Sequence, residues 1–288
     1  RLGVNASLLT GIGDDKVGEF ILNFLNKEGV NTKSIPIING SRSSAVVLGI
    51  EPPDKFPLVY YRDNAADSQI TIDDVIKAEI NSHKIVLLNG TALNIEPSRS
   101  ATFFAAEVAN KDNTDVVLDL DFRADQWHDY RAFGLTIRAL LPKVKIAIGT
   151  EEEILAATMI SNSQVKITDQ QISAPQIKGD INLSIRQLLD LGIETLIVKR
   201  GSSGASIYYP DGSKKDVPGF PVEILNVLGA GDAFASGFLF GVLKGWDLYK
   251  SCRMGNASGA QVVTKKGCAN FMPYLEESMA FINERGGF

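Results

Sequence analysis

The chain has few of the residues that build metal and redox centres. Its 288 residues include two cysteines, Cys252 and Cys268, and two histidines, His83 and His128. Neither pair has the spacing of zinc ligands, and scattered side chains of this kind make a poor metal site. Such low cysteine usage is typical of a reducing compartment, so we expect a cytoplasmic protein.

Long hydrophobic runs and an excess of basic residues are absent as well. The apolar segment Phe234–Leu243 is shorter than the roughly 18 residues that span a bilayer, and glycine interrupts it. Lysine and arginine number 29 against 34 aspartates and glutamates, which gives a net charge of −5. We therefore expect no nucleic-acid partner and no membrane partner, although a local basic pocket for a small anion remains compatible with this charge.

Three common catalytic or nucleotide-binding motifs are also missing. The chain has no G-x-x-x-x-G-K-[ST] phosphate loop. The glycines that follow Gly11-Ile12-Gly13 have the wrong spacing for a dinucleotide fingerprint. The turn Gly201-Ser202-Ser203-Gly204 resembles a hydrolase elbow, but Ala205 stands where G-x-S-x-G requires glycine.

What the chain does have is a regular alternation of strand-like and helix-like patterns. Short apolar runs predict strands at 84–88, 115–120, 144–148 and 195–198, and amphipathic patterns predict helices at 96–110, 127–141, 151–160 and 183–191, followed by helices at 231–244, 247–264 and 274–285. Runs of this kind suit parallel strands that are buried on both faces by helices. We therefore predict an α/β fold with ligands bound at the carboxyl ends of its strands.

One segment interrupts this alternation. Strand-like runs at Ser44–Ile50 and Leu58–Arg62 flank a proline-rich linker and have no helix attached. Because an isolated hairpin is marginally stable, we expect it to fold over the core as a lid or to pair with the hairpin of another subunit. The polar segment 161–180 is predicted to be a mobile surface excursion.

The predicted domain organisation follows from this interruption. Residues 1–34 and 66–288 are expected to form the α/β core, and residues 35–65 to supply the lid. The chain opens at Arg1, and Leu2-Gly3-Val4 reads as the end of a helix with a glycine cap, followed by a strand at 6–9. We expect an upstream helix, and a strand before it, to precede Arg1.

A glycine-rich turn before an apolar helix is the most informative local pattern. Gly229-Ala230-Gly231-Asp232 leads directly into that helix. The first N–H groups of a helix have no partner within the helix, and they lie at its positive end, so the turn can hold an anion. Asp232 is then either an ordinary cap or a base directed at the bound group.

Three further patterns lie at predicted strand ends, and each allows two interpretations. Lys199–Gly204 can approach a phosphate or form a tight β-turn. Arg123 can bind phosphate or pair with Asp119 or Asp121. Glu152, in an acidic helix start, can help to place magnesium or simply favour the helix dipole. Together with the anion-binding turn, these features indicate phosphoryl transfer.

These motifs resemble those of the ribokinase-like (PfkB) carbohydrate kinases. Their order agrees over nearly the whole chain, and it comprises Gly11–Asp15, the hairpin, Glu152, Lys199 with Gly201 and Gly204, the Gly229–Asp232 turn, Asn256 and Gly267. The resemblance implies a three-layer sandwich with a mainly parallel central sheet and a small β lid. It also implies ATP and magnesium as cofactors. From the isolated hairpin we expect a homodimer formed through the lid.

Within this family, a branch that acts on sugar acids is the most similar. Asp119–His128, Ile148–Ile154 and Leu225–Phe234 resemble kinases of 5-dehydro-2-deoxygluconate in inositol breakdown. Tyr60–Ala66 resembles a wider branch that includes 2-dehydro-3-deoxygluconate kinases. The implied activity is phosphorylation of the terminal hydroxyl of a keto-deoxy sugar acid by ATP. The alternatives are a 2-dehydro-3-deoxygluconate kinase, another sugar or nucleoside kinase of this family, and a sugar or nucleotide sensor on the same fold.

The resemblance also implies a role for each matching residue. Asp232 would be the general base, and the N–H groups of Gly229, Ala230, Gly231 and Asp232 would stabilise the moving phosphoryl group. Glu152 would help to hold magnesium. The ATP site would include Lys199, Gly201, Gly204, Asn256 and Arg123. The sugar-acid site would include Tyr60, Arg62, Asn64 and Asp232.

The chain departs from the family pattern at several positions. Many members have Asp and Thr where Asn226 and Leu228 stand, in the loop that holds a monovalent cation, so the resemblance leaves a monovalent-cation requirement open. Gly149 and Asp121 stand where related kinases often have Asn. The family's N-terminal strand and its sugar-binding glycine segment would precede Arg1.

Overall fold

The structure, a computed structural model, describes residues 1–49, 58–168 and 171–288. Its strands are β1 (Ile12–Gly13), β2 (Ile37–Ile38), β3 (Ala45–Leu48), β4 (Leu58–Tyr61), β5 (Ile85–Asn89), β6 (Asp115–Asp119), β7 (Ile146–Thr150), β8 (Val165–Thr168), β9 (Gln171–Ile177), β10 (Thr195–Lys199), β11 (Ala205–Tyr208) and β12 (Lys214–Val217). Its helices are α1 (Lys16–Lys27), α2 (Ile72–Lys77), α3 (Ser98–Lys111), α4 (Tyr130–Leu140), α5 (Glu151–Thr158), α6 (Ile181–Leu189), α7 (Ala230–Leu243), α8 (Leu248–Val263) and α9 (Leu275–Asn283).

Six strands form the central sheet in the order β12-β11-β10-β7-β6-β5. Strands β5, β6, β7 and β10 run parallel, while β11 and β12 continue the sheet in antiparallel pairs. Parallel neighbours place their carboxyl ends at one edge of the sheet. Asp119, Thr150 and Lys199, the last residues of β6, β7 and β10, therefore lie along that edge.

Helices cover both faces of this sheet. Leu118 and Val198 pack on one face in a cluster that includes residues of α3, α4, α5 and α6. Val117 and Ile197, their alternating neighbours, pack on the other face against Phe238 of α7. Because successive side chains of a strand point to opposite faces, strands that are apolar throughout need a helical layer on each side. The predicted three-layer α/β sandwich is confirmed.

Most of the predicted elements of the core are present, with ends displaced by a few residues. The strand predicted at 6–9 is wrong, because only Ser7 forms an isolated bridge, with Asn31. Val4 and Leu8 beside it are exposed, so no packed face extends the pairing into a ladder. In the part of the chain that the structure describes, no helix is both long and apolar enough to cross a membrane.

The predicted hairpin is present as β3 and β4. They pair antiparallel, with Val46 opposite Tyr60 and Val47 opposite Val59. Val46 and Tyr60 face the main cavity, whereas Val47 and Val59 are 56% and 50% exposed on the other face. The predicted linker 51–57 lies outside the described residues. Before the hairpin, β2 pairs with β1, which joins the start of the predicted lid segment to residues of the core.

The segment 161–180 forms a second hairpin instead of the predicted surface excursion. Strands β8 and β9 pair antiparallel, and Gln164 and Lys178 bond to each other at the open end of the hairpin. Ile177 is buried in the core, which anchors a segment whose sequence is mainly polar. Pro175 and Gln176 line the main cavity, so this hairpin contributes to the site.

Candidate active site

A cavity of about 780 Å³ opens at the carboxyl ends of the parallel strands. Among the predicted site residues, those that line the cavity are Tyr60, Arg62, Arg123, Glu152, Lys199, Gly201, Gly204, Gly229, Ala230, Gly231, Asp232 and Asn256. Asn64 is the exception. It is exposed in a left-handed turn with φ of 47°, and its side-chain oxygen faces Gln69, so the structure gives it no place in the cavity.

The glycine turn gives helix α7 its start. Gly229 has φ of 83°, in the left-handed region that favours glycine, and a Cβ atom there would collide with Sγ of Cys268. Gly229 is also the N-cap of α7, and no side chain caps this helix. Asp232 is therefore not the helix cap. Its carboxylate lies within the first turn and lines the cavity, which favours its interpretation as a base.

The surroundings of Asp232 raise the pKa of its carboxyl above the usual value. Burial is the main cause and the charge of Asp121 adds to it, while Lys199 and Arg123 act in the opposite direction. The side chain keeps exposed surface on the side that faces the open space of the cavity. A raised pKa brings the carboxylate closer to the basicity that a general base needs.

A buried ion cluster lies beside the glycine turn. Nζ of Lys199 is 3.0 Å from Oδ1 of Asp119 and 3.7 Å from Oε2 of Glu153. Burial opposes the charge of Lys199, but the two carboxylates outweigh it and hold the pKa of the lysine above its usual value. Burial raises the pKa of Asp119 to about 6, with a further contribution from the negative charge of Glu153. The same Nζ is 3.5 Å from the position that a Cβ atom on Gly231 would take, so the ammonium lies at the anion-binding turn.

Glu153 is a site residue that the sequence analysis missed. Helix α5 turns Glu152 toward the solvent of the cavity and Glu153 inward. Glu153 closes a capping box with Thr150, because its Oε2 accepts the Thr150 N–H at 2.6 Å and its own N–H donates to Oγ1 of Thr150. The T-x-x-E spacing of a capping box was the signal that could have identified this inward orientation.

Arg123 lies in the cavity as predicted, but it is also half of an ion pair. Its Nη2 is 2.6 Å from Oδ1 of Asp121, which confirms the ion-pair interpretation, and its place in the cavity leaves phosphate binding a prediction. Its charge also acts on Tyr60 of the lid and on Asp232. Arg123 therefore lies between the lid and the base, a position that suits a ligand of the sugar or of the transferred phosphoryl group.

A second arginine is held rigidly at the lid end of the cavity. Nε of Arg62 donates to Oδ2 of Asp67 at 2.6 Å, and its Nη1 donates to Oε1 of Gln126 at 2.7 Å and to the Thr91 carbonyl at 3.0 Å. Asp67, Thr91 and Gln126 also line the cavity, and the sequence analysis missed all three. Oδ1 of Asp67 is buried and has no hydrogen-bond partner among the described residues, which makes it an acceptor available to a ligand hydroxyl.

Gly201, Gly204 and Asn256 line the end of the cavity opposite the lid. Gly201 and Gly204 both have positive φ, and a Cβ atom on Gly204 would collide with the Val217 carbonyl. Nδ2 of Asn256 donates to the carbonyls of Val217 and Pro218. Asn256 thus ties α8 to the end of β12 while its side chain lines the cavity, where Val222, Val227 and Val263 provide apolar surface.

The carboxylate oxygens in the cavity suit a hard divalent cation that takes most of its ligands from a bound small molecule and from water. Glu152 is exposed to the cavity, and carboxylates and water are the ligands that magnesium prefers. Across residues 1–49, 58–168 and 171–288, no group of three or more Asp, Glu, His or Cys side chains could hold a metal ion. A magnesium ion would therefore take most of its ligands from phosphate oxygens and water.

Comparisons with known proteins agree with this geometry. The chain is 31% identical over 287 residues to 5-dehydro-2-deoxygluconokinase of Clostridium tetani. This alignment covers 99% of this chain and 80% of that protein. It is 31% identical over 286 residues to the enzyme of the same name from Clostridium beijerinckii, with the same coverage.

Solved structures share the fold at lower identity. Fructokinase with bound ATP from Xylella fastidiosa superimposes with a TM-score of 0.85 at 21% identity, over 99% of this chain and 87% of that chain. A Vibrio cholerae fructokinase double mutant, in a form that binds fructose, ADP and potassium ion, gives 0.84 at 22% identity, over 97% and 86%. The family description "pfkB family carbohydrate kinase" matches residues 1–275. The chain therefore belongs to the PfkB family of carbohydrate kinases.

Proposed function

We propose that this kinase transfers the γ-phosphoryl group of ATP to the terminal hydroxyl of a keto-deoxy sugar acid, 5-dehydro-2-deoxygluconate, in the cytoplasm. The observation that carries the proposal is the position of Asp232, which faces the cavity beside the anion-binding turn and Lys199. The names of the relatives support the sugar acid, and they do not favour a nucleoside kinase or a sensor. The two unpaired cysteines are compatible with a reducing compartment.

The reaction follows from the arrangement of charges around Asp232. Its carboxylate removes the proton of the sugar hydroxyl as the hydroxyl oxygen bonds to the γ-phosphorus. The bond from that phosphorus to the β,γ-bridging oxygen breaks, and ADP leaves with the electron pair. The N–H groups of Gly229–Asp232 and the ammonium of Lys199 stabilise negative charge on the moving group, which is the main contribution a protein makes to such transfers.

The ATP end of the cavity is proposed to lie between the two glycine turns. Gly201 and Gly204 allow close approach of phosphates, and the apolar residues near Asn256 suit the adenine ring. Magnesium, when bound to the triphosphate, neutralises phosphate charge and is proposed to be oriented by Glu152. We propose Arg123 as the contact to the transferred phosphoryl group on the side of the sugar.

The lid end is proposed to recognise the sugar acid. Arg62 is pre-oriented by Asp67 and Gln126, so it can meet a carboxylate with little loss of side-chain freedom. The free Oδ1 of Asp67 suits a sugar hydroxyl. Tyr60 and the lid residues 35–65 are proposed to close over the sugar and exclude water, which would limit hydrolysis of ATP.

The Asp232→Asn variant tests the proposed function directly. We expect kcat on 5-dehydro-2-deoxygluconate to fall by roughly 10²–10⁴-fold, because the amide cannot accept the proton. ATP binding should be retained, since the anion-binding N–H groups belong to the backbone. Coupled ADP release measures kcat and calorimetry measures ATP binding. Asp211→Asn, on an exposed turn, is the control, and a wild-type kcat for Asp232→Asn would reject Asp232 as the base.

The acid limb of the pH profile of kcat/KM should depend on the negative charge of Asp121. Activity should fall at low pH as Asp232 becomes protonated, and the charge of Asp121 raises the pKa of Asp232. Asp121→Asn should therefore move the acid limb of kcat/KM to lower pH. The neighbouring Asp125→Asn variant is the control, because that charge acts on Tyr60 instead. A limb that stays in place or moves to higher pH in Asp121→Asn contradicts this electrostatic coupling.

The Arg62→Lys variant tests the class of substrate. We expect KM for the sugar acid to rise about tenfold or more, because lysine keeps the charge but cannot make the bonds to Asp67, Gln126 and Thr91 that fix the position of the guanidinium group. Activity on fructose, a neutral ketose, should change far less. Arg99→Lys is a matched control, since Arg99 also donates to backbone carbonyls but lies outside the cavity. An unchanged ratio of kcat/KM for the two sugars would exclude Arg62 as the carboxylate ligand.

We also propose that the outer face of the lid forms a homodimer. Val47, Val59 and Tyr61 are 56%, 50% and 63% exposed on one face of the hairpin, an apolar surface that a second lid could cover. The double variant Val47→Lys and Val59→Lys should sediment as a monomer under conditions where the wild type is a dimer. Val17→Lys, at an exposed valine of α1, should leave the dimer intact. A monomeric wild type at micromolar concentration argues against the proposal.

A further inference from the structure

Behind the anion-binding turn, one asparagine is completely buried. Asn226 is 0% exposed, and the cavity lining includes Val227 and Leu228 of the same loop but not Asn226. We propose that the side-chain amide of Asn226 takes the place of a bound monovalent cation and positions the turn for phosphoryl transfer. The activity measurements below rest on the proposed kinase function, whereas the thermal measurements do not.

The amide of Asn226 uses all of its hydrogen-bonding groups on the backbone of two segments. Nδ2 donates to the carbonyls of Lys265 and Gly267 at 3.2 and 3.1 Å. Oδ1 accepts the N–H of Leu228 at 2.6 Å. Two carbonyl oxygens therefore converge on the two amide hydrogens of a buried side chain, and this neutral arrangement gives each carbonyl a partner.

The two segments that Asn226 joins are the segments that meet at the anion-binding turn. Leu228 directly precedes Gly229, and Gly267 directly precedes Cys268. Sγ of Cys268 occupies the space where a Cβ atom on Gly229 would lie. If the bonds of Asn226 are lost, these segments can separate, and the N–H groups of the turn no longer point toward the bound phosphoryl group. Asn226 is thus a positioning residue that acts through the turn.

The chemistry of the two carbonyls explains why an amide and a cation are alternatives. Carbonyl oxygens that face a buried side chain need a positive partner there, either an N–H group or a hard cation that prefers oxygen ligands. An aspartate has the same shape as Asn226 but would place a third oxygen against the two carbonyls. That set of three oxygens would be stable only with a cation among them. The single change from Asn226 to Asp should therefore create a requirement for potassium that the wild type lacks.

The experiment compares the wild type, Asn226→Asp and Asn226→Ala in potassium chloride and in choline chloride at equal ionic strength and mildly alkaline pH. We expect the wild type to have the same kcat and the same thermal midpoint in both salts. Asn226→Asp should lose roughly tenfold or more in kcat in choline, and potassium should restore most of that loss. Its thermal midpoint should rise in potassium. Asn226→Ala should be impaired equally in both salts.

Asn110 offers a matched control for the loss of an amide. Its Nδ2 also donates to two carbonyls, those of Ala106 and Lys143, at 2.8 and 2.7 Å, and it lies on the exposed side of α3. Asn110→Asp should leave kcat unchanged and should not respond to potassium beyond the wild type. A response of the same size in both variants would mean that potassium acts on any exchanged amide, which would overturn the proposal.

Three other outcomes also decide against the proposal. Strong activation of the wild type by potassium would show that the amide does not replace a cation. Full activity of Asn226→Asp in choline would show that the bonds of the amide do not position the turn. A folded Asn226→Asp protein without a potassium-dependent thermal shift would show that no cation site forms. If the wild type phosphorylates no sugar acid, the proposed function fails, but the thermal measurements still test the exchange of amide and cation.

Discussion

The active site depends on one buried ammonium shared by two carboxylates. Lys199 ends β10, Asp119 ends β6, and Glu153 belongs to the helix that follows β7, so the cluster joins the ends of three neighbouring strands. Two buried carboxylates and one lysine are stable only with this mutual pairing, because loss of either type of charge leaves the other uncompensated. The cluster therefore fixes where positive charge lies beside the Gly229–Asp232 turn.

The chemistry of Asp232 results from a balance between that cluster and its surroundings. Burial and Asp121 raise the pKa of the carboxyl, whereas Lys199 and Arg123 lower it. Lys199 and Arg123, which we propose as contacts of the transferred phosphoryl group, thus also favour the ionised form of Asp232. Behind the turn, the neutral amide of Asn226, which we propose to position it, adds no charge to this balance. We therefore assign the geometry of the turn to Asn226 and the electrostatics of the base to Asp121, Lys199 and Arg123.

Much of the fold and part of the site could be predicted from local patterns. Apolar runs identified the four parallel strands of the central sheet, and polar residues at their ends identified Asp119, Arg123 and Lys199 as neighbours of one site. The second hairpin was mispredicted because its anchor, Ile177, is a single buried residue in a polar segment. Thr91 and Gln126 were missed because they meet Arg62 from segments 29 and 64 residues away, and no local spacing records those contacts.

The sequence by itself determined the alternation of parallel strands and helices in the core and the glycine turn before the apolar helix. Both depend on backbone preferences and hydrophobic periodicity, which act over a few residues. Only the tertiary structure decided that Asp232 is not a cap, that Glu153 and not Glu152 faces Lys199, and that Asn226 faces two carbonyls. These facts depend on which distant groups share a buried space, because desolvation makes each polar atom there require a partner.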